Sequence, residues 1–203
     1  PLLPTPAVGA FMVQCWHDAG LPPGVLSVSQ GRASTGRALA GHAGIDGLLF
    51  TGSAATGARL HEQFSLQPQK LLAIEAGGNN PLIAWDITEA DLDAAAMLVV
   101  QSAYISAGQR CTCARRLIVQ EKETVLIERV LALIDRLIVG GPFDTPEPFM
   151  GPVVSNLAAD GIVRSWEGLI ARGGRVLCPL VRPDAALPID RKSTRLNSSH
   201  RLT

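Results

Sequence analysis

Gly47-Leu48-Leu49-Phe50-Thr51-Gly52-Ser53-Ala54-Ala55-Thr56-Gly57 is the stretch whose reading decides the fold. Gly47 to Thr51 is a compact apolar run that reads as a strand, and Leu60 to Leu66 follows with apolar residues at helical spacing. Strand, glycine-bounded turn and helix make an α/β unit. Such a turn gathers backbone N–H groups and the positive end of a helix dipole at one point, which suits a pyrophosphate. The spacing G-S-x-x-x-G is neither the common dinucleotide fingerprint nor a Walker loop. On spacing alone two readings stay open: a phosphate cradle made by Gly52, Ser53, Ala54, Ala55, Thr56 and Gly57, or an ordinary turn with a glycine at each end.

Working outward, Lys70 to Ile74 reads as the next strand and runs into Glu75-Ala76-Gly77-Gly78-Asn79-Asn80-Pro81, after which Leu82 to Trp85 resumes the extended pattern. Glu75 therefore falls at the C-terminal edge of a strand, where open α/β sheets bind ligands. A carboxylate there is either a general base or an exposed loop charge. On the N-terminal side, Val8, Phe11, Met12, Cys15 and Trp16 recur at amphipathic-helix spacing behind a Thr5-Pro6 cap and first turn. Val25 to Gln30 reads as a short strand and Arg37 to His42 as a helical piece.

Further on, Asp91 to Ala107 predicts a helix capped near Thr88 or Asp91, with Leu92, Ala95, Ala96, Val99, Val100, Ala103 and Tyr104 on one face. It delivers Gly108-Gln109-Arg110-Cys111-Thr112-Cys113 into a loop. A thiol is the best intrinsic nucleophile among side chains once its anion is favoured. Arg110, Arg115 and Arg116 supply nearby positive charge, and Gly108 permits a tight backbone. The alternative is that Cys111 is buried filler after an apolar helix. A metal or disulfide framework is discounted, since Cys15 and Cys178 lie in no paired, zinc-type spacing. Arg116 to Val119 reads as a strand. Val125 to Val139 reads as a second periodic helix through Val125, Ile127, Leu131, Ile134, Leu137 and Ile138. A Gly/Pro-rich loop, a helix over Asn156 to Ala171 and a strand over Gly174 to Leu180 complete the pattern.

Composition narrows the function. The 203 residues are 47% hydrophobic and 18% charged, enough to bury a core as one large or two small domains. Formal charge is zero, but four basic residues fall in the last thirteen positions, which leaves 14 basic against 18 acidic groups before them. A mildly acidic body with few aromatics and no basic stripe argues against nucleic-acid binding. No apolar run is long enough to span a membrane. Four cysteines without framework spacing, and no signal-like N-terminus, point to a reducing compartment, with the cytoplasm as the default.

Taken in order, Phe50-Thr51-Gly52-Ser53-x-x-x-Gly57, Glu75-x-Gly77-Gly78-Asn79 and Gly108-Gln109-Arg110-Cys111 resemble the NAD(P)-dependent aldehyde dehydrogenase superfamily. The resemblance runs from about Pro1 to Asp190. The wording Glu75-Ala76-Gly77-Gly78-Asn79-Asn80-Pro81-Leu82, with Gln101 to Arg116, resembles the branch that oxidises N-succinylglutamate 5-semialdehyde in bacterial arginine catabolism. It implies an α/β fold made of a partial Rossmann-type coenzyme domain followed by the start of an α/β catalytic domain. It implies NAD as cofactor, a small-molecule aldehyde as substrate and homo-oligomeric full-length relatives. Cys111 matches the family nucleophile, Glu75 the general base, and Gly52 to Gly57 the coenzyme loop. Cys113 matches no catalytic position.

The resemblance divides the chain into residues 1–76, the distal part of the NAD-binding domain, and residues 77–190, the first part of the nucleophile-bearing domain. It also places the family's oxyanion-hole asparagine and ribose-binding lysine before residue 1. The glutamate that holds the nicotinamide ribose falls beyond Asp190. The chain therefore reads as an internal fragment, expected to be inactive or nearly so by itself and to expose apolar faces. Residues 191–203 are polar, basic and aperiodic, and read as a disordered, non-native-looking tail that resembles translated adapter sequence. A basic interaction tail is the alternative.

Overall fold

Twice along the chain, two parallel strands are joined through a helix. The computed structural model describes residues 6–121 and 123–180, and the chain divides into two compact units between Gly77 and Gly78. The architecture is α/β, as the sequence predicts.

In the first unit, helix α1 (Pro6–Asp18) is followed by α2 (Ala33–Gly41), strand β1 (Gly47–Gly52), α3 (Ala54–Phe64) and β2 (Leu71–Ala76). β1 and β2 pair in parallel from Gly47 opposite Leu71 to Gly52 opposite Ala76. A small core of Ala40, Leu60 and Phe64 packs against Ile45, Leu48, Phe50, Leu72 and Ile74. These strand residues alternate with exposed ones, so α3 covers one face of the ribbon and leaves Leu49 and Leu71 on the other, 76% and 64% exposed. Helix α1 forms where its apolar spacing predicts, yet none of its residues is buried, and Phe11 is 69% exposed. The cap expected at Thr5 lies outside the described residues. The strand expected over Val25 to Gln30 does not form: no strand lies there for β1 or β2 to pair with, and Val25 and Val28 face solvent. Gln30 Nε2 instead donates to the Pro6 carbonyl at 2.8 Å, tying this connector to α1.

The second unit repeats the plan with β3 (Asn80–Ile83), α4 (Leu92–Tyr104) and β4 (Ala114–Ile118), followed by α5 (Val125–Asp135) and α6 (Asn156–Ala171). β3 and β4 are parallel, with a register shift between Asn80 and Pro81. Proline has no N–H to give the ladder, and the irregularity falls where that donor is missing. The predicted face of α4 is the buried one: Leu92, Ala96, Val99, Val100, Ala103 and Tyr104 join Ala84, Ala107, Leu126, Val130 and Met150 in the main core, with Ala95 packed at its edge. Asp91 is the N-cap residue of α4, as expected, though its side chain makes no bond to the first turn. Thr88 Oγ1 donates to the Asp91 carboxylate at 2.6 Å, and the helix begins after a short 3-10 turn over Glu89–Asp91.

α5 presents Leu126 and Val130 to the core, with Leu133 and Ile134 packed at its edge, one position round from much of the expected stripe, and Val125 is half exposed. Its axis also stops at Asp135, so Leu137 and Ile138 leave the helix for a connector bridged to Met150. Ser155 caps α6 by accepting from the Ala158 N–H at 3.2 Å. Residues 174–180 do not form the expected strand: only Leu177 and Cys178 bend, and no partner strand lies beside them among the described residues. The tail expectation for residues 191–203 lies outside the described residues. Among the described residues, no helix is long and apolar enough to cross a membrane.

Candidate active site

The Gly52–Gly57 stretch turns out tighter than a loop. Gly52 ends β1, Ser53 alone connects, and Ala54 to Gly57 are already the first turn of α3. Ser53 explains the early start: its Oγ accepts from the Thr56 N–H at 3.2 Å and lies 2.9 Å from Thr56 Oγ1, a side-chain N-cap. The Thr56 and Gly57 amides also reach the Ser53 carbonyl, at 3.0 and 2.9 Å. The Ala54 and Ala55 amides have no acceptor among the described residues, as expected for the first donors of a helix. Gly57 is buried against β2, and a Cβ there would sit 3.0 Å from Ile74 Cγ2. The absent side chain is what lets α3 approach the sheet.

Glu75 stands at the same edge. It is opposite Thr51 in the register, one residue before the Gly52–Ala76 pair. The Gly77 N–H then donates to the Gly52 carbonyl at 3.0 Å, closing the strand ends together. Leu72 and Ile74 point to α3, so by alternation Glu75 projects from the opposite face, where it is exposed. The structure thus brings Glu75 and the Gly52–Gly57 turn to one end of one ribbon.

Cys111 belongs to the second unit and lies in the loop between α4 and β4, exposed. The chain reaches it through a left-handed run: Ser106 (φ 54°), Ala107 (φ 55°) and Gly108 (φ 68°). Only the glycine takes this conformation freely; the other two cost about 1 kcal/mol or more each. Several contacts hold the run. Ala107 and Gly108 are buried, and Arg110 Nε donates to Ser106 Oγ at 2.9 Å. Gln109 donates from Nε2 to the Ser106 carbonyl at 3.3 Å and accepts at Oε1 from the Val154 N–H at 2.8 Å. Cys113 is buried at 2% exposure, with Sγ 3.6 Å from the Ile105 carbonyl. The two cysteines therefore divide their roles: Cys113 packs the loop down while Cys111 stays accessible. Among the described residues, no cluster of three or more His, Cys, Asp or Glu could hold a metal ion.

Asn80 holds the same loop from β3. Its Nδ2 lies 2.7 Å from the Cys111 carbonyl and 3.4 Å from the Cys113 carbonyl. Arg116 Nη2 fixes the preceding residue by donating to the Asn79 carbonyl at 2.8 Å. The only sequence signal was a pair of asparagines after two glycines, which by itself marks a turn.

The aldehyde dehydrogenase family model matches residues 1–186 of the chain. The chain belongs to the aldehyde dehydrogenase family. It is 54% identical over 185 residues to the N-succinylglutamate 5-semialdehyde dehydrogenase of Sphingopyxis alaskensis, covering 91% of this chain and 38% of the relative. It is 49% identical over 179 residues to the protein of the same description from Novosphingobium aromaticivorans, covering 88% of this chain and 38% of the relative. Among solved structures, the Mycobacterium tuberculosis aldehyde dehydrogenase complexed with NAD+ matches with a TM-score of 0.84 at 29% identity, covering 94% of this chain and 38% of that one. The 1-pyrroline-5-carboxylate dehydrogenase from Thermus with bound NAD matches with a TM-score of 0.79 at 31% identity, covering 93% and 36%. The chain spans a little over a third of the length of these family members.

Proposed function

We propose that the chain supplies the coenzyme turn, the general base and the nucleophile of an NAD-dependent oxidation of N-succinylglutamate 5-semialdehyde to N-succinylglutamate. The observation that carries this reading is the loop that buries Cys113 and leaves Cys111 exposed behind a strained, hydrogen-bonded run. The names of the most similar relatives support the substrate.

The residues at the β1–β2 edge suit the coenzyme. The Ala54 and Ala55 amides, uncommitted at the positive end of α3, are donors for a pyrophosphate. Gly52, where a Cβ would meet the Phe50 ring, and Gly57, where one would meet Ile74, let the strand end and the start of α3 close together, so that these amides stand at the β1–β2 edge. NAD, when bound, supplies the hydride acceptor. Cys111 Sγ, as thiolate, adds to the aldehyde carbon to give a thiohemiacetal, and departure of hydride from that carbon leaves a thioester on the same sulfur. The oxyanion of each addition needs a converging donor, and the Cys111 backbone N–H is a candidate. Glu75 takes the proton of the water that attacks the thioester carbon; the acid is released and the thiolate restored.

The covered share of the relatives, 38%, favours a second reading for the isolated polypeptide: a catalytically inactive part of an aldehyde dehydrogenase, with this or another semialdehyde as the parent substrate, binding coenzyme weakly at most. Both are tested by placing residues 1–186 in the Sphingopyxis alaskensis relative in place of its matching segment. With the semialdehyde and NAD, the chimera is expected to give a pre-steady-state NADH burst that Cys111→Ala abolishes. The 203-residue chain alone is expected to give little or none. A chimera that folds and shifts its melting temperature with NAD but gives no burst would overturn the assigned reaction.

A further inference from the structure

We propose that Asn80 is a positioning residue for Cys111, its side-chain amide holding the Cys111 carbonyl in one orientation and so fixing the backbone that presents the thiol. The inference rests on the reading of Cys111 as nucleophile but on different observations. Asn80 Nδ2 has two N–H groups, and the Cys111 and Cys113 carbonyls lie 2.7 and 3.4 Å from it. One amide thus spans the turn that has Cys111 at its head.

Asn80 can do this because it is itself held. It opens β3 opposite Ala114, just before the register shift between Asn80 and Pro81, and Arg116 anchors the Asn79 carbonyl from β4. Gly78 completes the seat from below: a Cβ there would lie 2.6 Å from the Cys111 carbonyl oxygen. Two neighbouring residues therefore depend on where one carbonyl sits, one by bonding it and the other by making room for it. The contact also bears on reactivity. A carbonyl held in one orientation fixes the backbone from which the neighbouring thiol is presented to an electrophile.

The test is iodoacetamide labelling of the full chain across a pH series, with each cysteine followed as its own peptide by mass spectrometry. It needs neither coenzyme nor aldehyde, so a chain that makes no NADH still reports on Asn80, and failure of the proposed reaction is separable from failure of this role. Cys113, buried, reports the integrity of the loop, and Cys15, exposed on α1, serves as the reference. Asn80→Ala is expected to slow labelling of Cys111 about threefold at fixed pH. Asn80→Asp, the same shape with a charge in place of the donor, is expected to slow it about tenfold and move the pH–rate profile upward. Gly78→Ala, whose methyl would crowd both the Cys111 carbonyl oxygen and the Asn80 amide, should act in the same direction as Asn80→Ala. Cys15 and Cys113 should be unchanged throughout. An unaltered Cys111 profile in both Asn80 variants with Cys113 still protected would overturn the proposal. So would exposure of Cys113 in both, which would assign Asn80 to holding the fold.

Discussion

The exposed thiol of Cys111 sits on a backbone with little freedom. Ser106 and Ala107 are held left-handed before it, Gln109 ties the loop to Val154 across 45 positions of sequence, and Asn80 holds its carbonyl. Each bond is worth only about 1 kcal/mol net, comparable to the conformational cost of one left-handed non-glycine residue. The loop persists because several such contacts act on the same few residues. Glu75 differs in kind: it needs only a strand end, because its proposed task is to take a proton from water. In the chimera, Glu75→Gln is expected to leave the first-turnover NADH burst intact and to lower steady-state turnover about a hundredfold or more. Stopped-flow followed by steady-state assay checks this, and equal loss of burst and steady state would move Glu75 from the hydrolytic step to activation of the thiol. At this scale the loop that holds Cys111 was legible in the sequence, because Gly108 follows the apolar run of α4, and Cys111 is exposed there and not buried filler. Asn80 was not, since its partner carbonyl is 31 positions away and a carbonyl leaves no mark in a sequence.

Among the elements, α4 and α5 show what periodicity can and cannot decide. α4 carries Asp93, Ala94 and Gln101 on its outer side beside the exposed Met97 and Leu98, yet the predicted face, Leu92, Ala96, Val99, Val100, Ala103 and Tyr104, is the buried one. α5, Val125-Leu126-Ile127-Glu128-Arg129-Val130-Leu131-Ala132-Leu133-Ile134-Asp135, is apolar over most of its circumference. Its pattern identifies a helix without choosing among adjacent faces, and packing against α4 chooses Leu126 and Val130. Leu126, 0% exposed, should cost about 2–5 kcal/mol when cut to alanine. Val125→Ala, on the solvent side, should change stability by about 0.5 kcal/mol or less. Urea titration of the two variants checks the register of the helix, and equal losses would mean the buried face is misplaced. The missing strands have a different cause. Val25 to Gln30 and Gly174 to Leu180 have strand-like composition, but a strand exists only as half of a ladder, and neither segment finds a partner among the described residues. Local composition cannot supply that partner. Ser53 likewise begins α3 earlier than its apolar spacing suggests, because capping acts through a hydroxyl and not through periodicity.

At the scale of the whole molecule, the same βαβ plan serves both units, each with its own core. Both cores are one-sided. Leu49 and Leu71 on the first ribbon, Ile83 on the second and Val8, Phe11, Met12 and Trp16 of α1 all face solvent. That fits a chain spanning 38% of its relatives, and it is why the proposed chemistry is best measured in a complete frame. The central claim is that Cys111 carries the covalent step. Acid-quench peptide mapping of the chimera bearing Glu75→Gln, mixed with N-succinylglutamate 5-semialdehyde and NAD, tests it most directly. The account predicts an acyl thioester on the Cys111 peptide that appears with the first NADH, and none on Cys15, Cys113 or Cys178. An adduct on another cysteine, or NADH formed without an adduct and undiminished by Cys111→Ala, would contradict it.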